Sequence, residues 1–222
     1  MTRKNHRVTL NWSIVCALNA VICMGTVSAL HKQLNTHGDV VQIAQGHSSD
    51  VVVERVKLFS KQHANTENTI ERNGILVRYK NAEANIVISH GFMCDKFDIA
   101  FLRDLFPRGK FNFLTYDFRA HGENREGQCC TFGRDEAYDV IAAAKFIHNH
   151  PDLKGKPVFA YGFSMGAVSS IEAQAKDATL FDGMILDCPF DSTENILNRI
   201  LDNLKISVLG YQFDFPGRSI LQ

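Results

Sequence analysis

The sequence predicts an α/β fold, a mostly parallel sheet with helices on both faces, and three observations predict it. Four apolar runs, at 85–89, 111–116, 157–161 and 183–186, are each too short for a helix and are bounded by turn residues. Helical patterns alternate with them at 97–106, 135–148 and 165–176. Alternation of this kind makes neighbouring strands parallel, joined by right-handed crossovers. Each run also ends in polar or small residues suited to chemistry, at the strand ends where such sheets bind ligands.

The elements before and around these runs follow the same logic. Residues 51–59 alternate in strand fashion and 74–79 form a second short strand, so an antiparallel pair opens the sheet. With 222 residues, 45% of them hydrophobic, the chain is long enough to bury one principal core. Lys and Arg number 24 and Asp and Glu 24, with no basic run. That balance excludes the electrostatic footprint that nucleic-acid binding requires, and no nucleic-acid partner is expected. The chain shows no internal repeat and no low-complexity tract.

The N-terminus departs from the average. Arg3, Lys4 and Arg7 precede a largely apolar stretch at 10–30, which reads as a membrane-directed segment with its extreme N-terminus in the cytoplasm. Val27-Ser28-Ala29 has the small-x-small character of a signal-peptidase site, while the apolar length also suits a spanning helix of about 20 residues. Two localisations follow: a domain anchored to the membrane outside the cytoplasm, or one exported after cleavage. Residues 31–50 are polar, without apolar period, and read as a linker. Cys16 and Cys23 fall in the apolar segment, leaving Cys94, Cys129, Cys130 and Cys188, whose three possible pairings the sequence does not order. No CxxC pair is present, so no metal site is expected.

The third run leads into Gly162-Phe163-Ser164-Met165-Gly166. A lone match to this pattern arises by chance with a probability on the order of 0.1 in a chain of ordinary composition. Here the serine follows a buried-type strand and opens an Ala-rich helical pattern, the setting in which a sharp elbow exposes a nucleophilic hydroxyl. Gly162 and Gly166 suit a turn whose backbones approach too closely for side chains. The helix starting at Met165 turns its positive end toward the site. The N–H of Met165 is one oxyanion donor, and the N–H of Phe92, after His90-Gly91 in the loop leaving the first run, is the natural second. Gly91 leaves room for that approach. His90 reads as a brace for its loop, on the wrong side of the nucleophile for a general base.

His90-Gly91-Phe92, the run Tyr116-Asp117-Phe118-Arg119-Ala120-His121-Gly122 and the serine motif stand in the order and spacing of the α/β-hydrolase superfamily. Over residues 51–190 the chain most resembles its serine aminopeptidase and monoacylglycerol-lipase-like bacterial branch. The resemblance implies Ser164 as nucleophile, Phe92 and Met165 as oxyanion donors, and a structural turn at 117–122 whose Arg119 and His121 brace the loops. It implies no cofactor. The implied activity is hydrolysis of an ester, thioester or amide through an acyl-enzyme, on a small acyl-ester, lipid or peptide substrate.

The same resemblance calls for an acid after a seventh strand and a base histidine after an eighth. All nine histidines precede Ser164, and residues 192–222 read as a helix at 193–206 and an aromatic segment at 211–216 that resembles the start of a lid. The expectation is a domain spanning 51–222 that lacks its last two strands, with the strand at 183–186 left as an exposed edge. Asp187 and Asp191 are acid candidates, read more simply as turn or cap carboxylates. His121, His148 and His150 lie in a turn or at a helix end, and Cys94 has no partner to lower its pKa. A second expectation is a membrane-tethered, noncatalytic binding protein on the hydrolase scaffold, since loss of the base leaves only residual catalysis.

Overall fold

The computed structural model describes residues 50–123, 127–196, 205–208 and 211–214. The membrane-directed segment and nearly all of the linker lie outside the described residues. β1 (Val51–Lys61) and β2 (Thr69–Tyr79) form a long antiparallel hairpin in register from Val51 opposite Tyr79 to Lys61 opposite Thr69. β2 extends five residues beyond the expected start because its first half has polar residues stabilised across the hairpin, with Lys57 paired to Glu71 at 3.1 Å. Cross-strand pairing there replaces the apolar alternation that sequence periodicity relies on.

β3 (Ala84–Ser89), β4 (Phe111–Tyr116), β5 (Val158–Phe163) and β6 (Gly183–Asp187) complete a six-stranded sheet in the order β1-β2-β4-β3-β5-β6. β2 meets β4 antiparallel, and β4, β3, β5 and β6 run parallel. Strand alternation divides the core. Ile75, Val77, Ile86, Ile88, Phe113 and Tyr161 form one cluster with Ile99 and Leu102 of the segment crossing that face. Leu76, Val87, Leu114 and Ala160 are buried on the opposite side. α1 (Glu136–Asn149) and α2 (Met165–Lys176) pack against one another and against β3 and β5. α1 buries Ala137, Val140, Ala143, Ala144 and Ile147, a helical stripe whose small residues let the helix sit close to its neighbours.

The segment expected to be a helix at 97–106 forms only a 3-10 turn, Ala100–Leu105. Its start is captured by Asp95, whose Oδ1 accepts the N–H groups of Phe97 at 2.8 Å and Asp98 at 3.2 Å, while Asp98 Oδ2 accepts the N–H of Asp95 at 2.9 Å. Such local side-chain bonds compete with helix formation, and Pro107 ends the segment.

On the far side of β5, β6 is short and its central residues stay open: Met184 is 37% and Ile185 48% exposed. Among the described residues β5 is the one strand paired with it. Residues from Phe190 onward belong to a separate compact unit. There a helical turn at 193–196 is capped by the Ser192 hydroxyl, which accepts the N–H of Asn195 at 3.3 Å. The expected helix does not extend to 206. Lys205–Val208 is strand β7 and pairs antiparallel with β8 (Tyr211–Asp214), in keeping with the alternation Lys205-Ile206-Ser207-Val208.

Candidate active site

Ser164 occupies the junction between β5 and α2 with φ 53° and ψ −112°, a conformation that costs a side-chain-bearing residue of order 1–3 kcal/mol. The surrounding chain holds it there. Its carbonyl accepts the N–H of Ala167 at 3.0 Å and Val168 at 3.2 Å, and its own N–H donates to the Asp187 carbonyl at 2.8 Å. The two glycines of the motif are steric necessities. A Cβ on Gly166 would lie 2.1 Å from the Ser89 carbonyl oxygen, and one on Gly162 would lie 2.5 Å from the Ala167 Cα. The elbow is thus pressed between the end of β3 and the first turn of α2. Ser164 is half-buried, and its hydroxyl makes no hydrogen bond among the described residues.

Met165, fully buried, is the first residue of α2, so its N–H has no acceptor within the helix. Gly91 brings the loop after β3 against the serine: a Cβ there would lie 3.4 Å from the Ser164 Cβ and 3.0 Å from the Phe163 ring. Phe92 and Met93 form the bend of a turn closed by the Cys94 N–H donating to the Gly91 carbonyl at 3.3 Å, with Met93 at φ 65°. That positive φ at the third turn position has no glycine to announce it in the sequence. The Phe92 ring packs at 4.7 Å on Phe132 and 5.7 Å on His121. Phe132 is itself fixed by Glu136, whose buried carboxylate accepts the N–H and hydroxyl of Thr131 at 2.8 and 2.7 Å and the N–H of Gly133 at 2.8 Å.

His90 and His121 brace the rim. His90 is fully buried; its Nδ1–H donates to the Gly91 carbonyl at 2.7 Å and its Nε2 accepts the Phe118 N–H at 3.0 Å. Burial, then the nearby His121, push its pKa down to about 3, so the ring is neutral and both nitrogens are committed. His121 Nδ1–H donates to the Arg119 carbonyl at 2.8 Å. His148 donates to the Leu180 carbonyl at 2.9 Å, and His150 Nδ1 accepts the Asp152 N–H at 3.2 Å. Among the described residues no histidine bonds to Ser164.

Two buried ion pairs beneath the rim escaped the sequence reading. Asp117 accepts the Lys96 N–H at 3.0 Å, the Lys96 ammonium at 2.6 Å and the Glu123 N–H at 3.0 Å, with both side chains buried. Arg119 chelates Asp139 at 2.8 and 3.1 Å and reaches the carbonyls of Lys61 and Gln62, tying the β1–β2 hairpin end to α1. The Asp-Phe-Arg-Ala-His-Gly run was the signal, but its partners Lys96 and Asp139 lie about 20 residues away in sequence, at separations of 21 and 20.

The acid candidates fare differently. Asp187, at the end of β6, is exposed; its carboxylate accepts the Tyr161 hydroxyl at 3.4 Å, and burial followed by that carboxylate raises the Tyr161 pKa. Asp191 is exposed and accepts the Asn195 side-chain amide at 3.4 Å. Cys94 and Cys188 are free thiols, both with pKa raised, first by burial and then by neighbouring carboxylates. Cys130, buried, has its Sγ 3.5 Å from the Met165 sulfur. Among the described residues no cluster of His, Cys, Asp and Glu is placed to hold a metal ion.

The sheet order, the antiparallel second strand and the serine elbow define an α/β-hydrolase. The chain belongs to the hydrolase family described as serine aminopeptidase, S33, whose profile matches residues 80–208, more than half of its length. It is similar to the uncharacterized protein YqkD of Bacillus subtilis, 33% identical over 109 residues that make up 47% of this chain and 34% of YqkD. Among solved structures it is similar to the esterase Pf2001 of Pyrococcus furiosus, with TM-score 0.53 and 22% identity over 68% of this chain and 54% of that one. The peroxisomal alpha-beta-hydrolase Lpx1 of Saccharomyces cerevisiae gives TM-score 0.54 and 17% identity over 71% and 54%. These two likenesses show the fold. The chain spans about a third of its curated relative and about half of each structural one.

Proposed function

We propose that this chain is a serine hydrolase acting on ester, thioester or amide bonds, with Ser164 as nucleophile. The observation that carries the reading is the elbow: a serine at φ 53° on the N-terminus of α2, with the Gly91 loop against its Cβ. In the step it is suited to, Oγ bonds to the acyl carbon as its proton passes to a base, and the carbonyl π electrons move onto oxygen. The N–H groups of Phe92 and Met165 would receive that oxyanion, and removing one such donor typically costs about 10²–10³ in kcat. Collapse expels the alcohol, thiol or amine, and water then releases the acyl group from Ser164. No described residue stands as the base; His90 is excluded by its two committed nitrogens.

That no histidine among the described residues bonds to Ser164 favours, as a second reading, a noncatalytic binding protein on the same scaffold. A fluorophosphonate probe separates them. Stoichiometric labelling that disappears in Ser164→Ala supports the hydrolase, and no labelling of a folded chain supports the binding protein. We also infer that residues 1–30 direct the chain to the membrane, as cleaved signal or anchor. No helix among the described residues is long and apolar enough to cross a membrane. Fractionation of the intact chain beside one lacking residues 1–30 tests this; equal distribution overturns it.

A further inference from the structure

Residues 130–133 pack on both chain segments that meet at Ser164. Phe132, buried, sets its ring 4.7 Å from that of Phe92 in the Gly91 loop. Cys130, also buried, reaches the side chain of Met165, the first residue of α2, with 3.5 Å between the two sulfurs. Gly133 lies so close to α2 that a Cβ on it would come within 2.8 Å of Val168 Cγ1. The Gly91 loop and the start of α2 are thus bridged from a third place in the chain.

The bridge is held in a shape that its own sequence disfavours. Phe132 has φ 54°, in the left-handed region that costs a residue bearing a side chain, and Gly133 follows at φ 114°. Such strain persists only where the surroundings impose it, and it gathers at functional sites. Here the restraint is Glu136, the first residue of α1. Its Oε1 accepts the Thr131 N–H, and its Oε2 accepts both the Thr131 hydroxyl and the Gly133 N–H. The Thr131 hydroxyl in turn accepts the Asp135 N–H at 2.8 Å. All three donors to Glu136 precede α1, so this carboxylate serves the turn and not the backbone of its own helix. Phe132, between the two residues it binds, is the one that reaches Phe92.

We propose that Glu136 is a positioning residue for the oxyanion pocket: acting through Phe132, it fixes the Phe92 ring and with it the direction of the Phe92 N–H. This rests on the reading of Ser164 as nucleophile with Phe92 and Met165 as donors. A misplacement of about 1 Å by a remote change costs up to about 10²-fold in rate, so a loosened Phe92 registers in the chemistry. The test measures the second-order rate at which a fluorophosphonate, whose P=O oxygen takes the oxyanion's place, labels Ser164. Parent chain, Glu136→Gln, Phe132→Ala and the double variant are compared where circular dichroism shows each folded. Glu136→Gln should slow labelling about tenfold, less than the roughly 10²–10³ that outright loss of a donor costs. The double variant should be no slower than Phe132→Ala alone, because one residue works through the other; losses that multiply overturn the proposal. Thr131→Val, which deletes one of the three bonds and keeps the shape, should slow labelling in the same direction and stands in if Glu136→Gln does not fold. Unchanged labelling there overturns the proposal as well. Amide NMR of the isotopically labelled chain supplies a readout independent of reactivity: the Phe92 resonance should shift in Glu136→Gln, and an unmoved Phe92 overturns the positioning role. A parent chain that takes no label while Phe92 does shift supports the positioning and overturns Ser164 as nucleophile instead.

Discussion

β5 carries the serine, and its two neighbours frame it unequally. β3 is buried at every position from Ala84 to Ser89 and runs into His90, whose ring bonds in both directions. β6 leaves Met184, Ile185 and Asp187 in the open and runs into Cys188, exposed and at φ 43°. The Gly91-loop side of Ser164 is thus held by packing, two buried ion pairs and a neutral histidine. The β6 side has a bond from the Ser164 N–H to the Asp187 carbonyl and a long contact from Tyr161. Preorganisation of the kind catalysis uses is present on one flank and sparse on the other among the described residues.

The strongest way to break the contrast is to empty the ground under the β3 side. Asp117→Ala leaves the buried Lys96 ammonium with only the partly exposed Glu123 carboxylate, at 3.4 Å, and should cost stability toward the lower end of about 3–5 kcal/mol in urea unfolding. If the loss is below about 1 kcal/mol, the pair is not what secures that loop. A matched pair of truncations sharpens the comparison. Ile88→Ala, in the closed strand, should cost about 2–5 kcal/mol, whereas Ile185→Ala, in the open strand, should change stability by no more than about 0.5 kcal/mol. Similar losses would mean that β6 is covered as well as β3 is.

The last test is the pH signature of His90. Its folded pKa of about 3 lies below the ordinary histidine value of 6.5, so the unfolded chain binds the proton first. The stability from the buried neutral ring is complete above about pH 6.5 and is lost as pH falls toward 3, with a slope of up to about 1.4 kcal/mol per pH unit. Denaturation of His90→Asn across that window should show a shallower decline than the parent chain. Parallel curves would place the titration elsewhere.

Where the residues carry their own instructions, the sequence was readable. α2 begins and ends where the Ala-rich pattern places it, and β4 spans its apolar run, because both are local consequences of periodicity. The elbow was legible because steric pressure demands Gly162 and Gly166. What the sequence hid depends on partners distant along the chain. The first half of β2 is strand because β1 lies beside it, and Lys96 is buried because Asp117 awaits it. The 97–106 segment failed as a helix through two aspartates whose side chains serve the backbone better than the next turn would. Of the candidate site, the serine elbow and the close approach of the Gly91 loop were visible; the turn at Met93 was not, since methionine gives no hint of a positive φ.

The bond from the Ser164 N–H to the Asp187 carbonyl couples the elbow to β6, whose one paired strand among the described residues is β5. A strand that frays carries its carbonyls with it, and this one holds the amide of the residue on which catalysis would turn. The persistence of the Ser164 backbone geometry is then tied to how often β6 opens. Amide exchange at that single position would read the edge and the nucleophile as one event.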